Sequence, residues 1–178
     1  MINMDFINIF LLIIALAAFS LALAGKSIAP FFPMRIKDLK RIHEESDLKA
    51  GDSFYEIGCG DGRVCRYMAI NNPEAQITGI EYAWPLYLFC RASNIIKPVK
   101  NLQIKFGNAL KNDFTDAKVI YLYGMTKTLN QKIIPKLSRE VGTGTKLISY
   151  VFSVDKWEGE QKTNKPEPTD LPIYIYYF

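Results

Sequence analysis

FYEIGCGDGR, residues 54–63, is the stretch that decides the fold of this 178-residue chain. It opens with a mainly apolar run that is typical of a buried strand. Glycine then follows at alternate positions, 58, 60 and 62. Glycines spaced in this way let the backbone turn sharply and approach a ligand where the strand ends. A helix predicted at Gly62–Asn71 would direct its unpaired N–H groups to the same place.

Outward from this loop, strand patterns alternate with helix patterns. The alternation predicts an α/β fold with a mostly parallel sheet and helices on both of its faces. The polar, proline-containing stretch Glu158–Asp170 is predicted to be a loop. The predicted strands are Ser53–Ile57, Gln76–Glu81, Leu102–Phe106, Lys118–Leu122, Lys146–Phe152 and Ile173–Phe178, and two further helices are predicted at Pro85–Ser93 and Leu129–Glu140.

Two carboxylates accompany the glycine loop. Glu56 stands two residues before the first glycine, and Glu81 ends the following strand. A carboxylate at the end of the second strand can accept hydrogen bonds from both ribose hydroxyls of an adenosine group. Arg63 stands where a dinucleotide-binding loop would have its third glycine, so the spacing favours S-adenosylmethionine. The ammonium group of that cofactor suits an acidic residue near the loop.

We therefore expect an adenosine-cofactor site, with Asn108 after the third strand as a hydrogen-bond partner for adenine. Two alternatives stay open. The glycines can form an ordinary tight turn with Glu81 a solvated strand end, and Asn108 can be a simple turn asparagine. The expected cofactor-binding residues are Glu56, Gly58, Gly60, Gly62, Glu81 and Asn108.

Composition excludes several other functions. His43 is the single histidine, and the three cysteines show no CxxC spacing. Because a structural zinc site needs about four such ligands, we expect no metal. The odd cysteine count also argues against a disulfide framework and suits a reducing compartment. A net charge of +4 falls short of the basic stripe of a nucleic-acid-binding protein, so no nucleic-acid partner is expected.

The first part of the chain is strongly apolar. Phe6–Ala24 would span about 28 Å as a helix, close to the hydrocarbon thickness of a bilayer. We predict a retained membrane helix in residues 1–25; a cleaved signal peptide and a buried core helix are the alternatives. Basic residues after it predict that the following domain is cytoplasmic. Residues 26–50 are predicted to hold a linker, with Pro-Phe-Phe-Pro at 30–33, and a basic helix at Ile36–Leu48.

The motifs EIGCGDGRV (56–64), GIEYAWPLY (79–87) and FGNAL (106–110) resemble those of class I S-adenosylmethionine-dependent methyltransferases. More narrowly, residues 30–178 resemble a compact group of protein lysine methyltransferases. These are small archaeal enzymes and membrane-tethered mitochondrial ones that act on the adenine nucleotide translocator and the ATP synthase c subunit. The resemblance implies a Rossmann-like sheet with an antiparallel last strand, in a catalytic domain at 51–178. The family usually has aspartate where Glu56 stands.

The resemblance also implies a substrate. Tyr-Leu-Tyr-Gly at 121–124 replaces the Asn-Pro-Pro-Tyr element, which argues against methylation of base amino groups. We expect methyl transfer to protein lysine, including lysine of membrane-embedded proteins. Such transfer needs alignment more than acid–base groups, so no catalytic residue is assigned. The expected pocket residues are Tyr123, Tyr150, Phe152 and Trp157, with core packing as the alternative for each. A small-molecule or lipid-like substrate, or a binding module without activity, are the other candidates.

Overall fold

A computed structural model, which describes residues 4–27 and 33–178, contains one sheet. Its strands are β1 Ser53–Ile57, β2 Gln76–Glu81, β3 Leu102–Phe106, β4 Ala117–Leu122, β5 Lys146–Tyr150, β6 Gln161–Asn164 and β7 Ile173–Tyr177. They lie in the order β3-β2-β1-β4-β5-β7-β6. Strands β1 to β5 pair in parallel, and β7 runs antiparallel to both β5 and β6. The predicted mostly parallel sheet is confirmed.

Helices lie on both faces of this sheet. They are α1 Met4–Ser27, α2 Leu39–Ser46 after a 3-10 turn at Ile36–Asp38, α3 Arg63–Asn71, α4 Trp84–Ile96, α5 Thr126–Thr128 and α6 Ile134–Glu140. Helix α1 packs against α4. A π-helical turn, Leu129–Ile133, lies between α5 and α6, so the helix predicted at Leu129–Glu140 is present but includes one wide turn. Pro135 lies in the first turn of α6. Its ring and missing N–H are incompatible with a regular hydrogen bond to the preceding turn, which accounts for the wider turn there.

Side-chain alternation along the strands builds two core layers. On β4, Val119 and Tyr121 point into the layer that α2 and α3 cover. Ile120 and Leu122 point into the layer that the π-helical turn and α6 cover. Because both faces of β4 are buried, its sequence is a nearly continuous apolar run. The carboxyl ends of the parallel strands therefore emerge between two packed layers, where the glycine loop lies.

The region after β5 differs from the prediction. Gln161–Asn164, predicted as part of a loop, forms β6 at the edge of the sheet. Its sequence is polar because three of its four residues are exposed, so it lacks the apolar alternation that marks a strand. The strand predicted at Lys146–Phe152 ends instead at Tyr150, since Val151 takes a left-handed backbone conformation with φ +72°.

The N-terminal apolar segment is helical, as predicted, within α1. Among residues 4–27 and 33–178, no helix is long and apolar enough to cross a membrane, so the predicted membrane span is not supported. The Ser20 hydroxyl accepts a hydrogen bond of 3.2 Å from the backbone N–H of Trp84, the first residue of α4. Most of the predicted Pro-Phe-Phe-Pro linker, at residues 30–32, lies outside the described residues.

Candidate active site

The glycine loop connects β1 to α3 at the carboxyl edge of the sheet. Gly58, Gly60 and Gly62 have φ angles of +72°, +56° and +76°, a region that other residues adopt only with strain. The loop is fixed to β2, because the backbone N–H groups of residues 58 and 59 both donate to the carbonyl of Ile80. A Cβ at Gly58 would meet no atom within 4 Å. The outer face of the loop is therefore open to a ligand.

Three free thiols pack beneath the loop: Cys59, Cys65 and Cys90. Cys90 Sγ donates to the carbonyl of Gly60 at 3.0 Å. A hydrogen bond with Cys59 and burial raise the pKa of the Cys90 thiol, so it keeps the proton that it donates. A Cβ at Gly79 would lie 3.0 Å from Cys59 Sγ and 3.1 Å from Cys65 Sγ. The thiols thus fill the space behind the loop and leave its front surface free.

Glu81 joins the glycine loop to the start of α4. One carboxylate oxygen accepts the N–H of Gly60 at 2.7 Å. The other accepts the N–H groups of Tyr82 and Ala83 at 2.9 and 2.8 Å. The side chain is 5% exposed, which is not the solvated strand end considered above. Burial raises the pKa of Glu81, although the three backbone N–H groups oppose the change. The carboxylate lies at the loop, where the expected ribose would bind.

Glu56 points into the layer of α3. Its Oε2 accepts the backbone N–H of Cys65, in the first turn of α3, at 2.8 Å. Complete burial raises the pKa of Glu56 well above its ordinary value. One oxygen of this residue therefore stabilises the helix start, which is a local role that the sequence pattern did not indicate.

Asn108 follows β3 and caps a short 3-10 turn. Its Oδ1 accepts the backbone N–H of Leu110 at 3.0 Å, as expected of a turn asparagine. The neighbouring N–H of Gly107 donates to the main-chain carbonyl of Glu81 at 2.9 Å. Asn108 thus lies at the same edge as the glycine loop, and its contact with adenine stays a prediction.

Three of the four predicted pocket aromatics come together after β4 and β5. The ring of Tyr123 lies 4.9 Å from that of Tyr150, edge to face, and 6.0 Å from that of Phe152. We call these three residues the aromatic wall. The Tyr123 and Phe152 side chains are half-buried and the Tyr150 side chain is buried. The wall therefore lies at the carboxyl ends of β4 and β5, partly open to solvent.

Trp157, the fourth predicted pocket residue, makes its ring contacts with other aromatic residues. Its ring packs 5.3 Å from Tyr176 and 5.1 Å from Phe178, and its Nε1 donates to the carbonyl of Glu160 at 3.0 Å. These contacts show that the half-buried ring packs against β7, as in the core-packing alternative, and its place in the pocket stays a prediction. The chain forms β6 shortly after Trp157, at Gln161–Asn164.

A strained turn shapes the aromatic wall. Residues two apart on a regular strand lie on one face, yet Tyr150 and Phe152 pack in opposite core layers. The left-handed backbone of Val151, unusual for a β-branched residue, breaks the alternation. Two hydrogen bonds hold this turn: the Val151 N–H donates to the carbonyl of Pro172 at 2.9 Å, and the Ser149 hydroxyl donates to the carbonyl of Phe152 at 2.6 Å.

The segment before α2 borders the site, a position that the sequence pattern does not indicate. Asp38 is fully buried. Its carboxylate accepts hydrogen bonds from the Tyr150 hydroxyl at 2.5 Å and from Arg35 and Arg41 at 2.9 Å each. Burial opposes ionisation, but these hydrogen bonds hold the pKa of Asp38 below its usual range. The available signal in the sequence is a single acid, Asp38, among the basic residues that follow the apolar helix.

The same segment is fastened to the glycine loop and to β4. The carbonyl of Met34 accepts a hydrogen bond of 3.0 Å from Arg63 at the start of α3. The sulfur of Met34 accepts a hydrogen bond of 3.1 Å from the buried hydroxyl of Tyr121. Arg63 also forms an ion pair with Asp61 inside the loop. The segment at 34–38 therefore closes one side of the carboxyl edge.

The residues present fit an adenosine cofactor with a zwitterionic amino-acid end. The loop above Gly58 is open, Glu81 supplies a carboxylate, and one buried guanidinium nitrogen of Arg35 lacks a hydrogen-bond partner among the described residues. Within that described part of the chain, no group of histidine, cysteine or acidic side chains could hold a metal ion.

Comparisons with known proteins agree with this geometry. The family model of the ANTKMT methyltransferase domain matches residues 56–161. A protein-lysine N-methyltransferase of Saccharolobus islandicus is 25% identical over 158 residues, which are 84% of this chain and 92% of the relative.

Solved structures show the same fold. An RNA methyltransferase of Salinibacter ruber, in complex with S-adenosyl-L-homocysteine, superimposes with a TM-score of 0.74 at 26% identity, covering 82% of this chain and 93% of its own. A precorrin-6y C5,15-methyltransferase of Geobacter metallireducens gives a TM-score of 0.62 at 15% identity, covering 83% and 89%. The predicted resemblance and cofactor are confirmed: the chain belongs to the family of the ANTKMT methyltransferase domain and is a class I methyltransferase that uses S-adenosylmethionine.

Proposed function

We propose that this methyltransferase acts on the ε-amino group of lysine in a protein substrate. The observation that carries the proposal is the aromatic wall of Tyr123, Tyr150 and Phe152, which borders the carboxyl edge of β4 and β5. Aromatic faces exclude water from an aliphatic side chain such as that of lysine. The protein-lysine N-methyltransferase of Saccharolobus islandicus supports the same substrate class.

The reaction requires little acid–base chemistry from the chain. When bound, the cofactor would supply an electrophilic methyl group on a sulfonium centre. Its transfer to a neutral lysine nitrogen would leave S-adenosylhomocysteine and release one proton to water. The aromatic wall would orient the lysine chain and favour its uncharged form by removing water. His43 lies on α2 with its ring against Tyr67, so it has no part in this scheme.

Incubation with methyl-labelled cofactor tests the substrate class. The full-length protein should transfer label to a protein fraction, and acid hydrolysis should release methyl-lysine. RNA, lipid and small-molecule fractions are assayed in parallel, because the Salinibacter neighbour is named an RNA methyltransferase. Label confined to one of those other fractions would refute lysine methylation. A Glu81→Ala variant, deprived of its carboxylate at the loop, serves as the control for cofactor-dependent labelling.

The location of the enzyme belongs to this proposal. The three free cysteines and the cofactor favour the cytoplasm, where S-adenosylmethionine and reduced thiols are both available. A reporter fused after Phe178 should therefore be active in the cytoplasm. A reporter that is active only after export, fused at the same position, should stay inactive. Its activity would contradict the cytoplasmic location.

A further inference from the structure

Arg35 has a hydrogen-bonding capacity that the fold does not use. Its Nε donates to Asp38 at 2.9 Å, while its Nη2 is buried and has no partner among the described residues. A guanidinium stays charged and offers five donors in a planar fork. Leaving a buried donor of a charged group unpaired is unfavourable. No described residue supplies an acceptor for the Nη2 donor of Arg35, which points to an acceptor on a ligand.

The guanidinium is held beside the site by its neighbours in sequence. Met34 bonds to Arg63 at the start of α3 and to Tyr121 of β4. Asp38 bonds to Tyr150, the last residue of β5. Arg35 is thus on the side of the carboxyl edge formed by β4 and β5, whereas Glu81 ends β2 and lies with β1 between them. The two charged groups occupy opposite sides of the glycine loop.

The charges around Arg35 do not balance. The single carboxylate of Asp38 faces two guanidinium groups, those of Arg35 and Arg41, and Arg63 has its own partner in Asp61. Arg41 is also saturated by the backbone and side chain of Asn164 and by the carbonyl of Leu171. One positive charge is left over, and the group that retains free donors is Arg35.

We infer that Arg35 binds the α-carboxylate at the methionine end of S-adenosylmethionine. Arginine and carboxylate match in planar geometry and form the stronger, charge-assisted kind of hydrogen bond. The carboxylate supplies both the negative charge and the acceptor that this side of the site lacks. The inference depends on the cofactor and not on the proposed lysine substrate, so it can fail without affecting that proposal.

Calorimetry on the full-length protein tests this assignment. The two ligands are S-adenosylhomocysteine and 5′-(3-aminopropylthio)-5′-deoxyadenosine, which differ only in the carboxylate. The wild type should bind S-adenosylhomocysteine at least about tenfold more tightly, as expected for one charge-assisted hydrogen bond. Arg35→Met should weaken S-adenosylhomocysteine binding by about tenfold while changing the affinity for the decarboxylated ligand by less than about twofold.

Two further variants separate recognition from other effects. Lys40→Met removes the same charge from an exposed position in α2, where its side chain is 78% exposed, and should leave both affinities unchanged. Arg35→Lys should keep part of the preference, because it retains the charge but loses the planar fork. Equal weakening of both ligands in Arg35→Met would mean that the residue only supports Asp38, and would overturn the assignment. So would a wild type that fails to distinguish the two ligands, a result that needs no variant.

Discussion

Replacing Asp38 by alanine should break the interaction that holds the segment before α2 against the sheet. The carboxylate is 1% exposed and accepts hydrogen bonds from two arginines and from Tyr150. Removing one member of a buried ion pair typically costs about 3–5 kcal/mol, because the partner is left buried and unpaired. The Arg41 side chain is 13% exposed, so its charge would stay largely buried without Asp38. The Arg35 side chain is 35% exposed, so water can solvate its charge and its loss of Asp38 adds less to the destabilisation.

We therefore expect Asp38→Ala to lower the free energy of unfolding by about 3 kcal/mol, the lower end of that range. In a chain of this size that corresponds to a fall in Tm of about 6–12 °C. Urea denaturation followed by circular dichroism measures the first quantity and a thermal melt the second. Glu44→Ala, which removes an exposed acid from the same helix, is the control and should change the free energy by less than about 0.5 kcal/mol.

The same residue predicts a pH dependence. Because the folded protein holds the pKa of Asp38 below its usual value, its ionisation stabilises the fold above the pKa of the unfolded chain, about 3.9. That contribution disappears as the pH falls through the lowered pKa of the folded state. The stability difference between the wild type and Asp38→Asn should accordingly be largest near neutral pH and narrow below about pH 4. A difference under about 1 kcal/mol at pH 7 for Asp38→Ala would refute the reasoning.

Further predictions concern cofactor, pocket and pH. Glu81→Ala should weaken S-adenosylhomocysteine binding, since a charge-assisted hydrogen bond is worth about 1.5–3 kcal/mol; unchanged affinity by calorimetry would show that the carboxylate serves only the loop. Tyr123→Phe should lower turnover more than cofactor affinity in steady-state assays. Trp157→Ala should lower Tm, because its ring packs against Tyr176 and Phe178; a loss of turnover with Tm unchanged would instead support its place in the pocket. The methylation rate should rise with pH toward the lysine pKa of about 10.4. His43→Ala should leave this profile unchanged. An inflection near neutral pH that is present in the wild type and absent from His43→Ala would mean that His43 acts as a base.

The part of the fold that the sequence predicts well is the part determined locally. Alternate glycines need left-handed backbone, and the structure gives all three of them positive φ. The central strand β4 is an almost continuous apolar run because both of its faces are covered, so composition alone indicates it. Glu81 is located correctly because its place depends only on the end of one strand. Each of these features needs information from a few neighbouring residues.

What the sequence could not show depends on contacts between distant segments. β6 is polar at the edge, and only its pairing with β7 reveals a strand. Trp157 is of a residue type that often lines pockets, but its ring contacts, Tyr176 and Phe178, lie far along the chain and cannot be inferred from the local sequence. The turn at Val151 is not encoded by a glycine. It is held by hydrogen bonds to Pro172 and from Ser149, so the shape of the aromatic wall is a tertiary property.

The segment before residue 51 takes part in the catalytic fold. Leu39 and Ile42 of α2 are buried in the same core layer as β4 and β5. The hydroxyl of Tyr150, a member of the aromatic wall, donates to Asp38, and the ring of Tyr123 packs against Tyr150. Any displacement of this segment would therefore leave the Tyr150 hydroxyl without its acceptor and loosen one side of the wall. Through Arg63 and Met34 the same displacement would reach the glycine loop. The contacts of one short segment thus couple the cofactor loop to the aromatic wall, the two places that methyl transfer must bring into line.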